Sequence, residues 1–360
     1  MRTVNSKDLK ISNMKGLLIF LVVFGHLIEV YKSTYYNVFV FIYSFHMPLF
    51  ILISGYLAKN VKGKKILNLL LLYVVFQAFF NFLVYVIGVE KTLQWGYEKP
   101  QFHLWYIVSL CVWYALAYGL KRISHALLVV AVVSCVVLVA VASRYYAHDV
   151  VSMLKTVDPE MSTYTLSYQR TLSFAPFFLV GFFITRERLQ RLYVSFHRVG
   201  YITCGAVIVW LLLYIQKNPH LEQLFRGSYG AHRFMGHGDG YLEKMFLHYG
   251  VAFLLSWLLL KSVTSRRSWL TTWGDHSLTI FLFHPIFVFI LQANPSWLQS
   301  VQKDTRLILL GMGAMLISAL LASKALNRLV SRIIAPYETL LVVYQVMRAI
   351  FSRKTEGAIR

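Results

Sequence analysis

Two ionisable side chains lie three residues apart in the first apolar run of the chain, GLLIFLVVFGHLIEV. They are His26 and Glu29, and helical spacing places them on one face. A neutral imidazole can take a proton from a hydroxyl near physiological pH, and a nearby carboxylate can orient the ring and stabilise the imidazolium. Ionisable groups among lipid tails are costly, so the pair predicts a reaction site or a transport pathway within the membrane. A structural histidine bonded to a neighbouring helix is the alternative interpretation.

Basic side chains precede this pair and recur after the second apolar run. Lys15 lies eleven residues before His26, which corresponds to about 16 Å of helix and predicts that the imidazole lies near the middle of a hydrocarbon layer about 30 Å thick. The second group comprises Lys62, Lys64 and Lys65. Lysines of this kind can bind the phosphates of a nucleotide-bearing donor, although they are equally typical of residues that set membrane topology.

Further polar side chains occur inside the apolar segments FHMPLFILISG, QFHLWYI, RTLSFAPFF and GDHSLTIFLFHP. We expect them to contact a substrate, with aromatic rings serving as stacking surfaces for a sugar. Interfacial aromatic belts and snorkelling anchors are the alternative interpretation. The residues are His46, His103, Trp105, Tyr106, Arg170 and His284.

The composition places these residues in a membrane protein. Hydrophobic residues make up 58% of the chain and charged residues 14%, whereas soluble domains have about 25% charged residues. The net charge of +21 comes from short clusters of lysine and arginine between apolar runs, and not from the extended basic face that a nucleic-acid binder requires. All three cysteines fall within apolar runs, so we expect neither disulfides nor a metal site.

Ten apolar runs predict an all-α, polytopic bundle of about ten transmembrane helices. With the N-terminus in the cytoplasm, the segments that fall on the inner side hold 24 of the 36 lysines and arginines, as the positive-inside rule requires. The C-terminus is then cytoplasmic as well. The predicted spans are 16–31, 36–58, 66–88, 103–120, 126–142, 171–185, 199–215, 244–260, 276–292 and 307–322.

The predicted organisation is a membrane domain over residues 1–335, followed by a short tail. In the tail, residues 336–360, apolar stretches alternate with basic residues, a pattern typical of an amphipathic helix at the cytoplasmic surface of the bilayer. The loops 143–170 and 216–243 are the only sizeable external connections in this topology. They either hold a hydrophilic substrate or merely join helices.

Five segments, in order, resemble the acyltransferase family 3 membrane proteins, in particular the branch of fucose 4-O-acetylases and related acetyltransferases. They are MKGLLIFLVVFGHLIE, FHMPLFILISGYL, FHLWYI, RTLSFAPFFLVGF and GDHSLTIFLFHP. The resemblance implies ten or so transmembrane helices in a bacterial inner (plasma) membrane. It also implies transfer of an acyl group, commonly acetyl from acetyl-CoA, to hydroxyls of envelope or exported carbohydrates.

The resemblance assigns roles to particular residues. The family's basic-x10-His motif falls on Lys15 and His26, which makes His26 the residue implied to be essential. The family's R-x-x-R motif is matched only as Lys62-Gly63-Lys64-Lys65, which keeps the charge but loses the guanidinium forks.

We therefore predict a membrane O-acyltransferase that uses cytoplasmic acyl-CoA and a polysaccharide or lipid-linked oligosaccharide as acceptor. In it, His26 is either general base or acyl carrier. The alternatives are a non-enzymatic exporter of polysaccharide or small molecules and a proton-coupled carrier.

Overall fold

The computed structural model describes residues 8–192, 198–218, 221–228, 240–342 and 344–345. The regular secondary structure of this part of the chain is helical, without strands. The helices are α1 Leu9–Glu29, α2 Tyr36–Tyr43, α3 His46–Leu57, α4 Gly63–Val86, α5 Trp105–Leu120, α6 Ala126–Tyr145, α7 Ala147–Lys155, α8 Tyr168–Phe183, α9 Arg186–Leu192, α10 Arg198–Lys217, α11 Leu221–Phe225, α12 Tyr241–Ser262, α13 Trp269–Asp275, α14 Ser277–Ala293, α15 Ser296–Gln299, α16 Lys303–Leu321 and α17 Lys324–Val330, with short 3₁₀ turns at Ala58–Asn60 and Thr165–Ser167.

Helix α1 begins well before the apolar run that predicted it. The Asp8 carboxylate accepts hydrogen bonds from the backbone N–H groups of Lys10 and Ile11 at 3.0 and 3.2 Å, so it caps the helix at Leu9. The helix then ends at Glu29. His26 therefore lies in the last turn of α1, and its predicted depth near the middle of the hydrocarbon layer stays a prediction.

Buried polar groups bind the first half of α1 to the segment that leads into α13. Asn13 is fully buried, and its amide donates to the carbonyl oxygens of Thr264 and Arg266 at 2.8 and 2.7 Å. Its side-chain oxygen accepts from the hydroxyls of Ser268 and Thr271. All the hydrogen-bonding capacity of the amide is used, so α1 is held in one register against this segment.

Glycines allow two helix pairs to approach at backbone distance. In the pair α1 and α13, a methyl group on Gly16 would overlap the carbonyl oxygen of Leu270. In the pair α3 and α8, a methyl group on Gly55 would overlap the carbonyl oxygen of Phe178. Small residues at such crossings are the usual way in which transmembrane helices maximise their packing.

The second predicted run is not one straight helix. It divides into α2 and α3 at Ser44 and Phe45, before Pro48 rather than at it. Pro48 occupies the first turn of α3, where the missing N–H has no helical partner to lose. Tyr43, the last residue of α2, contacts the last turn of α1 through its hydroxyl.

A helix is present at each of the ten predicted runs, but fewer are long enough to cross a membrane alone. Within the described ranges, seven helical segments meet that test by length and composition, or eight if α13 and α14, bent by 86°, form one broken span. Helix α5 is apolar but has only 16 residues. The all-helical membrane fold is confirmed, whereas the count of ten and the cytoplasmic termini stay predictions.

The tail prediction falls largely outside the described residues. Residues 336–342 are helical, but residues 343 and 346–360, which include the basic positions Arg348, Arg353 and Lys354, are not described. The boundary at residue 335 stays a prediction.

Candidate active site

The predicted pair on α1 is joined by two residues from elsewhere in the chain. His26 Nδ1 lies 3.1 Å from Glu29 Oε2. The Tyr43 hydroxyl donates to the same carboxylate oxygen at 3.0 Å and also lies 3.0 Å from Nδ1. Arg226 Nη2 donates to the other carboxylate oxygen, Oε1, at 2.5 Å. The Glu29 carboxylate thus accepts hydrogen bonds from three side chains.

This network indicates which imidazole nitrogen carries the proton. The single hydroxyl proton of Tyr43 is directed to Glu29, so it is not available to His26 Nδ1. Nδ1 is then the nitrogen that donates to the carboxylate, and the lone pair of the neutral ring lies on Nε2. A histidine oriented in this way by a carboxylate can serve as a general base through Nε2.

Each member of the network is positioned by the end of a helix. His26 and Glu29 form the last turn of α1, Tyr43 is the last residue of α2, and Arg226 directly follows α11. The Arg226 guanidinium lies 5.7 Å from the centroid of the Tyr43 ring, which adds a cation–π contact to the ion pair. The ends of α1, α2 and α11 therefore meet at the Glu29 carboxylate.

Two cavities meet at this network. The first, of about 240 Å³, is called here the arginine cavity, and it is lined by His26, Glu29, Tyr43, His46, Met47, Pro100, Phe102, Trp105, Tyr164, Arg170, Phe174, Phe225 and Arg226. The second, of about 520 Å³, is called here the valine cavity, and it is lined by His26, Glu29, Val30, Val84, Val89, Glu90, Gln101, Phe102, Val288, Phe289, Gln292 and Pro295.

Three side chains belong to both cavities: His26, Glu29 and Phe102. The Phe102 ring lies 4.4 Å from the His26 ring between their centroids. Phe102 has a φ of 43°, a left-handed conformation that is uncommon for a bulky residue and is found most often at functional positions. The His26 side chain therefore lines two cavities, one on each side of the Phe102 contact.

Two of the predicted histidines pack near His26 but line neither cavity. The His284 ring stacks on His26 with 5.5 Å between centroids, and the His103 ring lies 5.4 Å beyond that of His284. His284 Nδ1 lies 3.0 Å from the carbonyl oxygens of Ile280 and Phe281. His284 Nε2 and both nitrogens of His103 are buried without a hydrogen-bond partner in the described part of the chain. The His284 ring therefore packs directly against the His26 ring, and the His103 ring packs against His284.

The structure brings three other predicted residues into the arginine cavity. His46, Trp105 and Arg170 all line it, and His46 Nδ1 lies 2.7 Å from the Ile42 carbonyl oxygen, which fixes its ring. Tyr106 lies in neither lining. It is buried, and its hydroxyl is 2.6 Å from Ser54 Oγ, which joins α5 to α3.

The predicted donor-binding lysines lie at the opposite end of the helices. Lys64 and Lys65 stand at the start of α4, about 30 Å along that helix from Val84 in the valine cavity. They line a separate cavity of about 260 Å³, where Lys64 Nζ lies 3.3 Å from Glu338. Lys62 precedes α4, and Lys15 lies about 16 Å down α1 from His26. The structure does not bring these lysines to His26.

Sequence reasoning missed Tyr43 and Arg226. Tyr43 had a usable signal, because it lies three residues before His46 in YSFH. Arg226 had none, since it lies 197 residues from Glu29 in a loop without a motif. Among the described residues, no group of three or more histidine, cysteine or acidic side chains is arranged to hold a metal ion.

Comparison with known proteins connects the chain to one family. The family described as "Acyltransferase domain" matches residues 8–327. Two curated proteins, both named Nodulation protein NolL, are similar over short stretches. That of Sinorhizobium fredii is 48% identical over 65 residues, and that of Mesorhizobium japonicum is 47% identical over 67 residues.

These stretches cover 16% and 17% of this chain, and the chain spans 17% and 18% of the length of the two relatives. No solved structure matches the chain significantly. The family match, in contrast, covers nearly all of the helical bundle, including every residue of the network around His26. The chain therefore belongs to the acyltransferase family that its sequence segments resemble.

Proposed function

We propose that the protein transfers an acyl group, in the simplest case acetyl, from cytoplasmic acyl-CoA to a hydroxyl of an envelope or exported carbohydrate. The proposal depends on one observation: the imidazole of His26 is held through Nδ1 by Glu29 and lines two cavities. Two cavities suit a reaction between two substrates, because each can approach the same nitrogen without displacing the other.

In the proposed reaction, His26 Nε2 removes the proton of the acceptor hydroxyl as its oxygen attacks the thioester carbonyl. The C–S bond then breaks, and the thiolate leaves with the proton that the imidazolium returns. The products are the carbohydrate ester and free CoA. In the variant reaction, Nε2 attacks the thioester first, and the C–S bond breaks to release CoA as a thiolate. The acceptor hydroxyl then attacks the acyl group on Nε2, the C–N bond breaks, and the hydroxyl proton goes to the thiolate.

Glu29 is proposed to orient the ring and to stabilise the imidazolium as it forms. Its own position is set by Tyr43 and Arg226, so the ring cannot turn without breaking this network. A fixed carboxylate behind a histidine is the same division of roles that serine hydrolases use.

The carbohydrate acceptor is assigned to the arginine cavity. Its lining combines aromatic rings, such as Trp105 and Phe102, with hydrogen-bonding groups from His46 and Arg170. Aromatic faces next to polar groups are suited to sugars, which have apolar C–H faces and a polar rim. In this proposal Tyr106, His103 and His284 act indirectly, by holding the walls of the site.

The donor is proposed to bind from the cytoplasmic side of a bacterial inner membrane. Its phosphates are assigned to Lys15, Lys62, Lys64 and Lys65, and the cavity beside Lys64 and Lys65 supports this assignment. Ammonium groups at these positions supply charge for phosphate binding. The pantetheine arm then has to extend between helices to bring the thioester to His26, a distance of about 16 Å from Lys15 along α1.

The first test is substitution of His26 in the full-length protein. The His26→Ala variant should transfer no acyl group from labelled acetyl-CoA to the carbohydrate fraction of membranes, while it inserts and unfolds like the wild type. The matched control is His125→Ala, which removes an exposed histidine before α6 and should leave transfer unchanged. Near-normal transfer by His26→Ala would contradict the proposal.

The same assay separates an enzyme from an exporter. A transferase should release more than one equivalent of free CoA per protein only when acceptor is present. An exporter should move carbohydrate across the membrane without consuming acyl-CoA. Incubation with labelled acetyl-CoA in the absence of acceptor distinguishes the two forms of the mechanism. Label that stays on the wild-type protein and is absent from His26→Ala indicates the acyl-histidine route, and its absence from both indicates direct transfer.

A further inference from the structure

Arg170 is a half-buried cation that forms no ion pair in the described part of the chain. Its guanidinium carbon lies 5.0 Å from the Trp105 ring centroid and 5.6 Å from that of Tyr164. Its Nε is buried and has no hydrogen-bond partner there, and none of the ion pairs found among the described residues includes it. Two aromatic rings thus hold the guanidinium against the arginine cavity that it lines.

The charges around this cavity do not balance. The lining contains two arginines, Arg170 and Arg226, and one carboxylate, Glu29. Glu29 is already bound to Arg226 at 2.5 Å, so the lining contains no further negative charge to neutralise Arg170. A charge that is partly withdrawn from water is unfavourable unless it is paired, and a bound ligand with a negative group would complete the pairing.

The neighbouring valine cavity has the opposite character. Its lining includes Glu29 and Glu90 but neither lysine nor arginine. An anionic group would be repelled there and attracted to the arginine cavity, although both cavities contain His26. The charge difference therefore orients a ligand that has one anionic end, with that end directed to Arg170.

We propose that the acceptor is an acidic carbohydrate, with a carboxylate or a phosphate close to the hydroxyl that receives the acyl group, and that Arg170 binds this anion. The inference rests on the proposed function, since it identifies the class of acceptor for the same site. The planar guanidinium fork fits carboxylate and phosphate oxygens in pairs, whereas a neutral sugar would leave its charge uncompensated. Arg170 is then a specificity residue that lines the same cavity as His26 but does not act on the reacting atoms.

The nature of the product tests this proposal directly. Membranes that contain the wild-type protein are supplied with labelled acetyl-CoA, and the labelled carbohydrate is passed over an anion exchanger before and after mild acid. We expect the label to be retained at first. Retention after acid indicates a carboxylate, and loss of retention indicates an acid-labile phosphate, such as that of a lipid-linked sugar. Label on a neutral carbohydrate would overturn this inference alone, whereas absence of any labelled carbohydrate would contradict the proposed function itself.

Substitution then tests the role of Arg170. With limiting amounts of the isolated acceptor, Arg170→Gln should transfer at least about tenfold more slowly than the wild type, and saturating acceptor should restore the rate, because a lost charge-assisted hydrogen bond weakens binding by this order. Arg170→Lys should fall between the two. A loss that persists at saturating acceptor would overturn the proposal, because it would mean that Arg170 acts on the reacting atoms.

The matched control removes a nearby positive charge outside the cavity lining. Lys99 is exposed, adjoins the cavity residue Pro100, and pairs with Glu160 at 2.9 Å. Lys99→Gln should leave the acceptor dependence unchanged. An equal effect of Lys99→Gln would show that only the general positive field matters, and it would overturn the assignment to Arg170. Unfolding temperatures of all variants verify that each protein is folded.

Discussion

Helices α1 and α6 are both apolar enough to cross a membrane, yet they occupy opposite environments. In α1, 67% of the most apolar 18-residue window is buried inside the protein, whereas in α6 only 6% is. Helix α6 is almost uninterruptedly valine, leucine and alanine, while α1 contains Asn13, His26 and Glu29.

The difference shows that apolarity does not decide which helix forms the interior of a membrane protein. Lipid satisfies an apolar side chain as well as a protein neighbour does, so α6 gains little by being buried. The polar groups of α1 can only be satisfied by other protein groups or by water in a cavity. The polar residues therefore place α1 at the centre and, with it, the candidate active site.

Among the variants that test the difference between α1 and α6, Glu29→Gln is expected to have the largest effect. It removes the carboxylate that holds His26 Nδ1 and pairs with Arg226, so the transfer rate should fall by about a hundredfold or more. The control is Ser134→Ala on the lipid-facing side of α6, where Ser134 is exposed. Transfer rates in purified, reconstituted protein measure both. Equal rates for the two variants would contradict the functional difference between the helices.

Leu138→Lys tests whether α6 faces lipid. Leu138 is 68% exposed near the middle of α6, and a lysine there should cost about 3 kcal/mol in membrane insertion. Leu138→Met, which keeps the side chain apolar, should insert normally. The inserted fraction after alkaline extraction is the measurement. Full insertion of the lysine variant would mean that α6 borders water or another protein surface.

Gly16→Ala tests the close packing of α1. The added methyl group would overlap the Leu270 carbonyl oxygen, so the free energy of unfolding should fall by about 1 to 3 kcal/mol. Gly205→Ala in the exposed part of α10, where a methyl group meets open space, should be neutral or slightly stabilising. Thermal unfolding in detergent compares them. A Gly16→Ala protein as stable as Gly205→Ala would show that α1 and α13 are less closely packed than described.

Tyr43→Phe should have the smallest effect of the four. It removes one of the three side-chain donors to Glu29 while the ring that packs against Phe39 is kept. We expect kcat/KM for transfer to fall by about tenfold, with no change in unfolding temperature. A loss as large as that of Glu29→Gln would instead assign Tyr43 a direct part in proton transfer.

Local sequence was enough to identify the pair on α1. A spacing of three residues on a helix brings His26 and Glu29 to one face, and the structure has them 3.1 Å apart. The ordered segments were enough to identify the family, which the match over residues 8–327 confirms. The start of α1 was misjudged because the apolar run begins at Gly16, whereas the capping signal of Asp8 lies well before it.

Long-range packing decided the rest of the site. No spacing rule connects Arg226 to Glu29 or His284 to His26, since these residues meet only when distant helices pack. The same packing separated Tyr106 from the cavity and placed Lys64 at the far end of α4.

The sequence by itself therefore determined the environment, the helices and the chemistry of one short segment, because hydropathy and helical periodicity are local properties. Only the tertiary structure decided which residues share a cavity with His26 and where a charge is left unpaired. The physical reason is that burial and charge pairing depend on every chain segment that reaches the same place. In this protein, contacting side chains lie as many as 274 residues apart, as Lys64 and Glu338 do.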